Sequence, residues 1–270
     1  GSVPRETSLR RTRVAVIETL LFAGAFLAGM LDAVVGGGGL IQIPLLFSAI
    51  PQAAPGTVFG TNKVAAVFGT AAAAGRYASR VEIPWRIALP AAGAACICAY
   101  AGAMAVALLP RVLVRPLVLV LLVAVAIYTY ARKDLGAIDE RRPARTRDRV
   151  VAMSVGGVLG FYDGFFGPGT GSFLIFLFVR LFGLDFLRAS VTAKVVNVTT
   201  NGAALLFFAG HGFVLWSLGL GMAAFNIAGS LVGSHLALRR GAGFVRSAFL
   251  IVTSLLIAKF GYDTFFAGST

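Results

Sequence analysis

Long apolar runs, broken by short polar or glycine-rich stretches, organise this sequence. A helix needs about 20 apolar residues to cross the hydrocarbon of a bilayer. Val14–Val35, Thr57–Ala78, Trp85–Leu109 and Val112–Ala131 approach or exceed that length, as do Val150–Phe166, Ala189–Gly210, Phe213–Leu238 and Val245–Phe266. Leu40–Ile50 and Ser172–Phe182 are too short to cross alone, and each follows a glycine-rich break. The runs are continuous and lack the ten-residue alternation of a membrane barrel. The pattern therefore predicts an all-α polytopic membrane protein of ten hydrophobic segments.

The pattern also repeats. Asp32 and Asp163 are 131 residues apart, and the same offset links Gly29 with Gly160, Thr61 with Thr192, Lys63 with Lys194, Trp85 with Trp216, Gly102 with Gly233 and Arg115 with Arg246. Chance matches among apolar residues are cheap, but Asp, Lys, Trp and Arg in one ungapped register are not. The expected organisation is an N-terminal tail (1–13), a first transmembrane repeat (14–131), a basic cytoplasmic linker (132–149) and a second repeat (150–270). Gly1-Ser2 without an initiator Met reads as a tag scar. Total charge does not orient the repeats, but its distribution does. Pro51–Gly56 has no basic residue where Arg180 and Arg188 flank the equivalent loop; Arg76, Arg80 and Arg86 surround a loop whose equivalent at His211–Trp216 has none. Inverted repeats swap loop charge in this way, so inversion is expected.

Composition sharpens the class. Hydrophobic residues make up 58% and charged residues 13% of the 270 residues, with a mean hydropathy of +0.86, which excludes an ordinary soluble enzyme and a disordered chain. The net charge of +13 sits at the ends of apolar segments, where it reads as a topology signal and not as a nucleic-acid-binding face. Cys96 and Cys98 are better read as small packing residues than as a metal pair. No metal-spaced cluster, P-loop or nucleophile triad is present, so no cofactor and no catalytic residue is expected.

Three constellations carry chemistry. The breaks Gly36-Gly37-Gly38-Gly39 and Gly167-Pro-Gly169-Thr170-Gly171 cannot hold a regular helix cheaply. At membrane depth, irregular backbone survives only when buried in protein or lining a wet cavity. The short helix after each break offers its first N–H groups to an anion; a tight helix crossing is the plainer reading. Thr61-Asn62-Lys63 and Thr192-Ala-Lys194 place a lysine in each repeat, at an insertion cost of about 2.5–3.5 kcal/mol. These lysines either attract an anion or neutralise Asp32 and Asp163, and a single one could also snorkel. Asn62, Asn197 and Asn201 add neutral donors, the last two equally suited to helix–helix bonding. Asp32 and Asp163 are read as proton-coupling groups or as ion-pair partners of the lysines. Glu18, His211 and His235 read as interfacial, loop or packing residues, and Trp85 and Trp216 as interfacial anchors.

Asp32–Pro44 (DAVVGGGGLIQIP) followed by Gly60–Lys63 (GTNK), with Tyr162–Gly171 (YDGFFGPGTG) and Thr192–Asn197 (TAKVVN) in the second half, resembles the sulfite exporter TauE/SafE family, over about Glu18–Phe266. The resemblance implies a bacterial inner-membrane permease for sulfur-containing anions: sulfite, thiosulfate or an organosulfonate such as sulfoacetate. It also implies about eight full spans from a duplicated four-span unit, which the ten segments accommodate if the short ones are half-helices or re-entrant arms. The first break lacks the Pro and Thr of the second, so only Thr170 would supply a hydroxyl, and the halves need not contact a ligand alike. The resulting expectation is a secondary transporter working by alternating access. An anion channel with the same site and a non-transport membrane scaffold are the alternatives. Its partners would be a small anion and the bilayer, not nucleic acid, and the sequence leaves room for a homo-oligomer.

Overall fold

The computed structural model describes residues 3–131, 146–240 and 254. The basic linker through Arg145, the Val245–Phe266 segment apart from Ser254, and Arg246 of the offset pairs lie outside them. Among the described residues the secondary structure is helical throughout: α1 (Val3–Val35), α2 (Gly39–Ala49), α3 (Pro55–Ala78), α4 (Trp85–Ala107), α5 (Arg111–Ala131), α6 (Thr146–Phe165), α7 (Thr170–Phe182), α8 (Phe186–Gly210) and α9 (Trp216–Arg240). Helix α1 starts earlier than its apolar run, so the backbone of the expected tail is helical from Val3. Ala15–Val35, Trp85–Ala107, Phe186–Gly210 and Trp216–Arg239 are long and apolar enough to cross a membrane. Helices α2 and α7 are apolar but short, as their runs predict. Helix α3 spends part of its length on a buried polar face of Thr61, Asn62, Lys63 and Thr70, which lowers its hydropathy although its 24 residues could span.

Small residues decide how the helices meet. Helix α6 packs along α4, and α1 along α9. A Cβ added at Gly156, Gly160 or Gly164 of α6 would lie 2.1 Å from Ala91 O, 2.6 Å from Ala95 Cα and 1.9 Å from Ala99 O. On the other side, Gly229 and Gly233 of α9 meet the backbones of Phe26 and Met30 in the same way. Such small-residue ridges bring backbones into van der Waals contact where lipid supplies no hydrophobic drive. Ser230 Oγ donates to Gly29 O at 3.2 Å, and Asn226 Nδ2 to Ala25 O at 3.1 Å, across the α1–α9 seam. Helix α3 packs on α9 and α8, and α8 on α4, so each half of the sequence finds its main neighbours in the other half. The outer faces stay apolar: Leu89, Ile97, Val158 and Leu206 are each at least 60% exposed, a surface suited to lipid and not to water.

Candidate functional site

Two chain reversals create the site. Helix α1 ends at Val35, and Gly36 takes φ +80°, a left-handed conformation that glycine adopts without a Cβ clash. The chain re-enters a helix at Gly39. In the second half α6 stops at Phe165, Gly167 and Gly169 take φ +95° and +81°, and α7 begins at Thr170. The irregular stretches are thus Gly36–Gly38 and Phe166–Gly169; Gly39, Thr170 and Gly171 are already helical. Tyr162 Oη donates to Pro168 O at 2.8 Å and braces the second reversal. Tyr77 Oη donates to Ala33 O at 2.9 Å and ties the end of α1 to α3.

The reversals touch. A Cβ on Gly36 would lie 2.4 Å from Gly171 Cα, and one on Gly39 3.2 Å from Pro168 Cγ. Ser172 Oγ, in the first turn of α7, donates to Val35 O at 2.5 Å, so the second half satisfies a terminal carbonyl of the first half's helix.

Both lysines reach across the same junction. Lys63 of α3 places Nζ 3.3 Å from Asp163 Oδ1, 2.8 Å from Asp163 O and 2.9 Å from Asn201 Oδ1. An ammonium has three donors, and these contacts engage all of them. Lys194 of α8 lies 2.9 Å from Asp32 Oδ2 and also donates to Asp32 O. The ion-pair reading of Asp32 and Asp163 therefore matches the geometry, with partners crossed between the halves. Asp32 further accepts from Thr70 Oγ1 at 3.2 Å and faces Gly38 N at 3.5 Å. Asp163 accepts from Thr170 Oγ1 at 3.1 Å and from Thr200 Oγ1. Such second partners offset the desolvation that burying an ion pair incurs.

The junction holds a small, partly open cavity of about 30 Å³, room for a water-sized group. Its walls include Gly36, Gly38 and Gly39 from the first break, Gly167 and Gly171 from the second, and Asp32, Asp163 and Lys63. Asn62 and Asn197, both anticipated, complete the wall with Gln42, Thr70, Asn201 and Asn226. Three buried side-chain atoms here lack a hydrogen-bond partner among the described residues: Gln42 Nε2, Asn62 Oδ1 and Asn197 Oδ1. Buried polar atoms are nearly always paired, and leaving one unpaired costs about 1–3 kcal/mol.

Several expected residues take other posts. Thr61 Oγ1 accepts from Leu215 N at 3.1 Å, at the α8–α9 connection. Thr192 Oγ1 bonds back to Arg188 O of its own helix. Gly37, Gly169 and Thr170 shape the breaks, and Lys194 stands behind Asp32; none of these four is among the cavity walls. Gln42, Thr70 and Asn226 were not expected, although Thr70 and Asn201 share the 131-residue offset and so carried a signal. His211 Nδ1 is 2.8 Å from Phe207 O at the end of α8, and His235 Nδ1 is 3.0 Å from Arg76 Nη2, both away from the cavity walls.

A family model, Sulfite exporter TauE/SafE, matches residues 21–260. The chain is 36% identical over 240 residues to the probable membrane transporter protein ORF9 of Sinorhizobium sp, covering 88% of this chain and 90% of that one. It is 34% identical over 250 residues to the probable membrane transporter protein YfcA of Escherichia coli, covering 91% and 90%. A probable membrane transporter protein of Haemophilus influenzae is 32% identical over 249 residues, covering 90% and 94%. No solved structure matches the chain.

Proposed function

The chain belongs to the sulfite exporter TauE/SafE family and is a membrane transporter, and from that premise we propose that it carries a small sulfur-containing anion across the bacterial inner membrane by alternating access. Sulfite, thiosulfate and organosulfonates such as sulfoacetate are the candidate substrates. The observation that carries this reading is the meeting of the two glycine breaks around one polar cavity, with Gly36 against Gly171. Broken helices at a repeat junction are where transporters bind substrate, and backbone there is tolerated because it lines a cavity. The amides of Asn62, Asn197 and Gln42, together with the glycine backbone, hold the anion. Lys63 and Lys194 neutralise Asp163 and Asp32 and keep the pocket from repelling it.

Alternating access follows from two inverted repeats rocking about this junction. Two contacts support inversion. Arg188 Nη2, at the start of α8, is 3.3 Å from Glu82 Oε2 in the α3–α4 connection. At the other end, Phe213 of the α8–α9 connection packs 3.2 Å from the Cβ position of Gly56. Parallel repeats would instead pair the α3–α4 connection with α8–α9.

The test is flux of labelled sulfite, thiosulfate, sulfoacetate and taurine into liposomes holding the purified protein. Saturable, mutually competing uptake supports the proposal. Sustained single-channel current would indicate a channel, and no flux or binding of any of the four would remove the substrate class.

A further inference from the structure

The two ends of the helix bundle close through equivalent positions that bond differently. At one end the α8–α9 connection lies on the start of α3. A Cβ at Gly60 would sit 2.0 Å from Phe213 O, so only glycine permits this approach. Leu215 N donates to Thr61 Oγ1 at 3.1 Å beside it. At the other end the α3–α4 connection meets the start of α8. There the 131-residue offset places Val191 for Gly60, Thr192 for Thr61, Glu82 for Phe213 and Pro84 for Leu215. Val191 carries the Cβ that the first end excludes. Proline has no N–H to donate, and Thr192 Oγ1 turns back to Arg188 O of its own helix. Among the described residues, the polar contact between this connection and α8 is the pair of Arg188 Nη2 with Glu82 Oε2, whose side chain is 84% exposed. Such an exposed pair contributes little. Ser190 Oγ, beside Val191, is buried without a hydrogen-bond partner among the described residues, so closure here leaves a polar group unsatisfied. Resting on the alternating-access reading above, we infer that Gly60–Phe213 and Thr61–Leu215 form a firm gate and Glu82–Arg188 a thin one. The resting transporter therefore opens first at the face carrying Arg80, Arg86 and Arg188, which their charge assigns to the cytoplasm.

One-sided thiol labelling of the full chain tests this. Ala66, a cavity-wall residue of α3, becomes the reporter as Ala66→Cys in a Cys96→Ser, Cys98→Ser background. A membrane-impermeant methanethiosulfonate is added to right-side-out or to inside-out vesicles. Ser79→Cys in the same background, exposed beside Arg80, identifies the vesicles that present the arginine face. Labelling of Ala66→Cys should be several-fold faster from that face. Glu82→Gln should raise that rate by up to about five-fold. Thr61→Val strands Leu215 N–H and should raise labelling from the opposite face about five-fold or more. Gly60→Ala, which places a Cβ against Phe213 O, is a second variant of the same gate with the same expected direction. Each variant is checked for folding by its thermal transition. Faster labelling from the opposite face, or none from either face, overturns the inference and leaves the transport reading standing. Unchanged rates in a folded Thr61→Val or Gly60→Ala overturn the firm gate, and an unchanged rate in Glu82→Gln overturns the thin one. Equal, rapid labelling from both faces indicates a continuous pore and removes the inference together with alternating access.

Discussion

The Lys63–Asp163 corner and the Lys194–Asp32 corner occupy equivalent positions of the two halves, yet they are built differently. At the first, lysine and carboxylate side chains are 2% and 5% exposed, and Asn201 takes one of the ammonium donors. At the second, Lys194 is fully buried but Asp32 is 18% exposed, with Thr70 and Gly38 N as its remaining partners. The reversal beside Asp163 carries Pro168 and Thr170; the one beside Asp32 is bare glycine. The fourth residue of α2 is Gln42, and its equivalent in α7 is Phe173. Both corners share the 131-residue register and a crossed ion pair. Both corners reach the cavity, through Lys63, Asp163 and Asn201 at one and Asp32 at the other, but the first is more deeply buried.

Substitutions can break this comparison at graded strength. The largest effect belongs to the shared contact: Gly36→Val forces a side chain into a left-handed backbone, against Gly171 Cα at 2.4 Å. Transport should be abolished, and the thermal transition should fall or disappear; wild-type transport would show that the breaks do not meet. Next come the lysines. Removing one partner of a buried pair costs about 3–5 kcal/mol, and Lys63→Ala should reach that range because Asp163 has little access to water. Lys194→Ala should cost less, since Asp32 can be hydrated from the cavity. Chemical unfolding in mild detergent measures both, and a reversed order would contradict the difference in burial between the two carboxylates.

A smaller effect separates Gln42 from Phe173. Gln42→Leu should weaken anion binding about ten-fold, whereas Phe173→Leu should leave affinity unchanged; equal losses would restore symmetry to the site. The smallest effect is a control. Gly75→Ala places a Cβ where nothing lies within 4 Å, so helix propensity should stabilise α3 by up to about 1 kcal/mol without changing transport.

Much of this was legible because polar residues stand out in an apolar chain. The breaks, both lysines and both aspartates are visible by type and by their 131-residue register. The register could not say that the partners cross, because a lysine's reach depends on how α3 and α8 pack. Thr61 and Thr192 share that register, yet their hydroxyls serve a helix connection and an intrahelical bond. Threonine commonly bonds to its own backbone, so the register marked their position and not their direction. Gln42 was hidden within a short apolar helix, with only one polar neighbour in Ser48. Asn201 was visible and open to a helix–helix role; its bond to Lys63 does join helices, and does so at the cavity wall.

The central claim is that substrate sits between the two breaks. Selenite, a heavy analogue of sulfite, can be located by its anomalous scattering in crystals of the protein. The account predicts a selenium peak in the cavity between Gly36 and Gly171, within hydrogen-bond reach of Gln42. A peak remote from both breaks, with this cavity unoccupied, would contradict it.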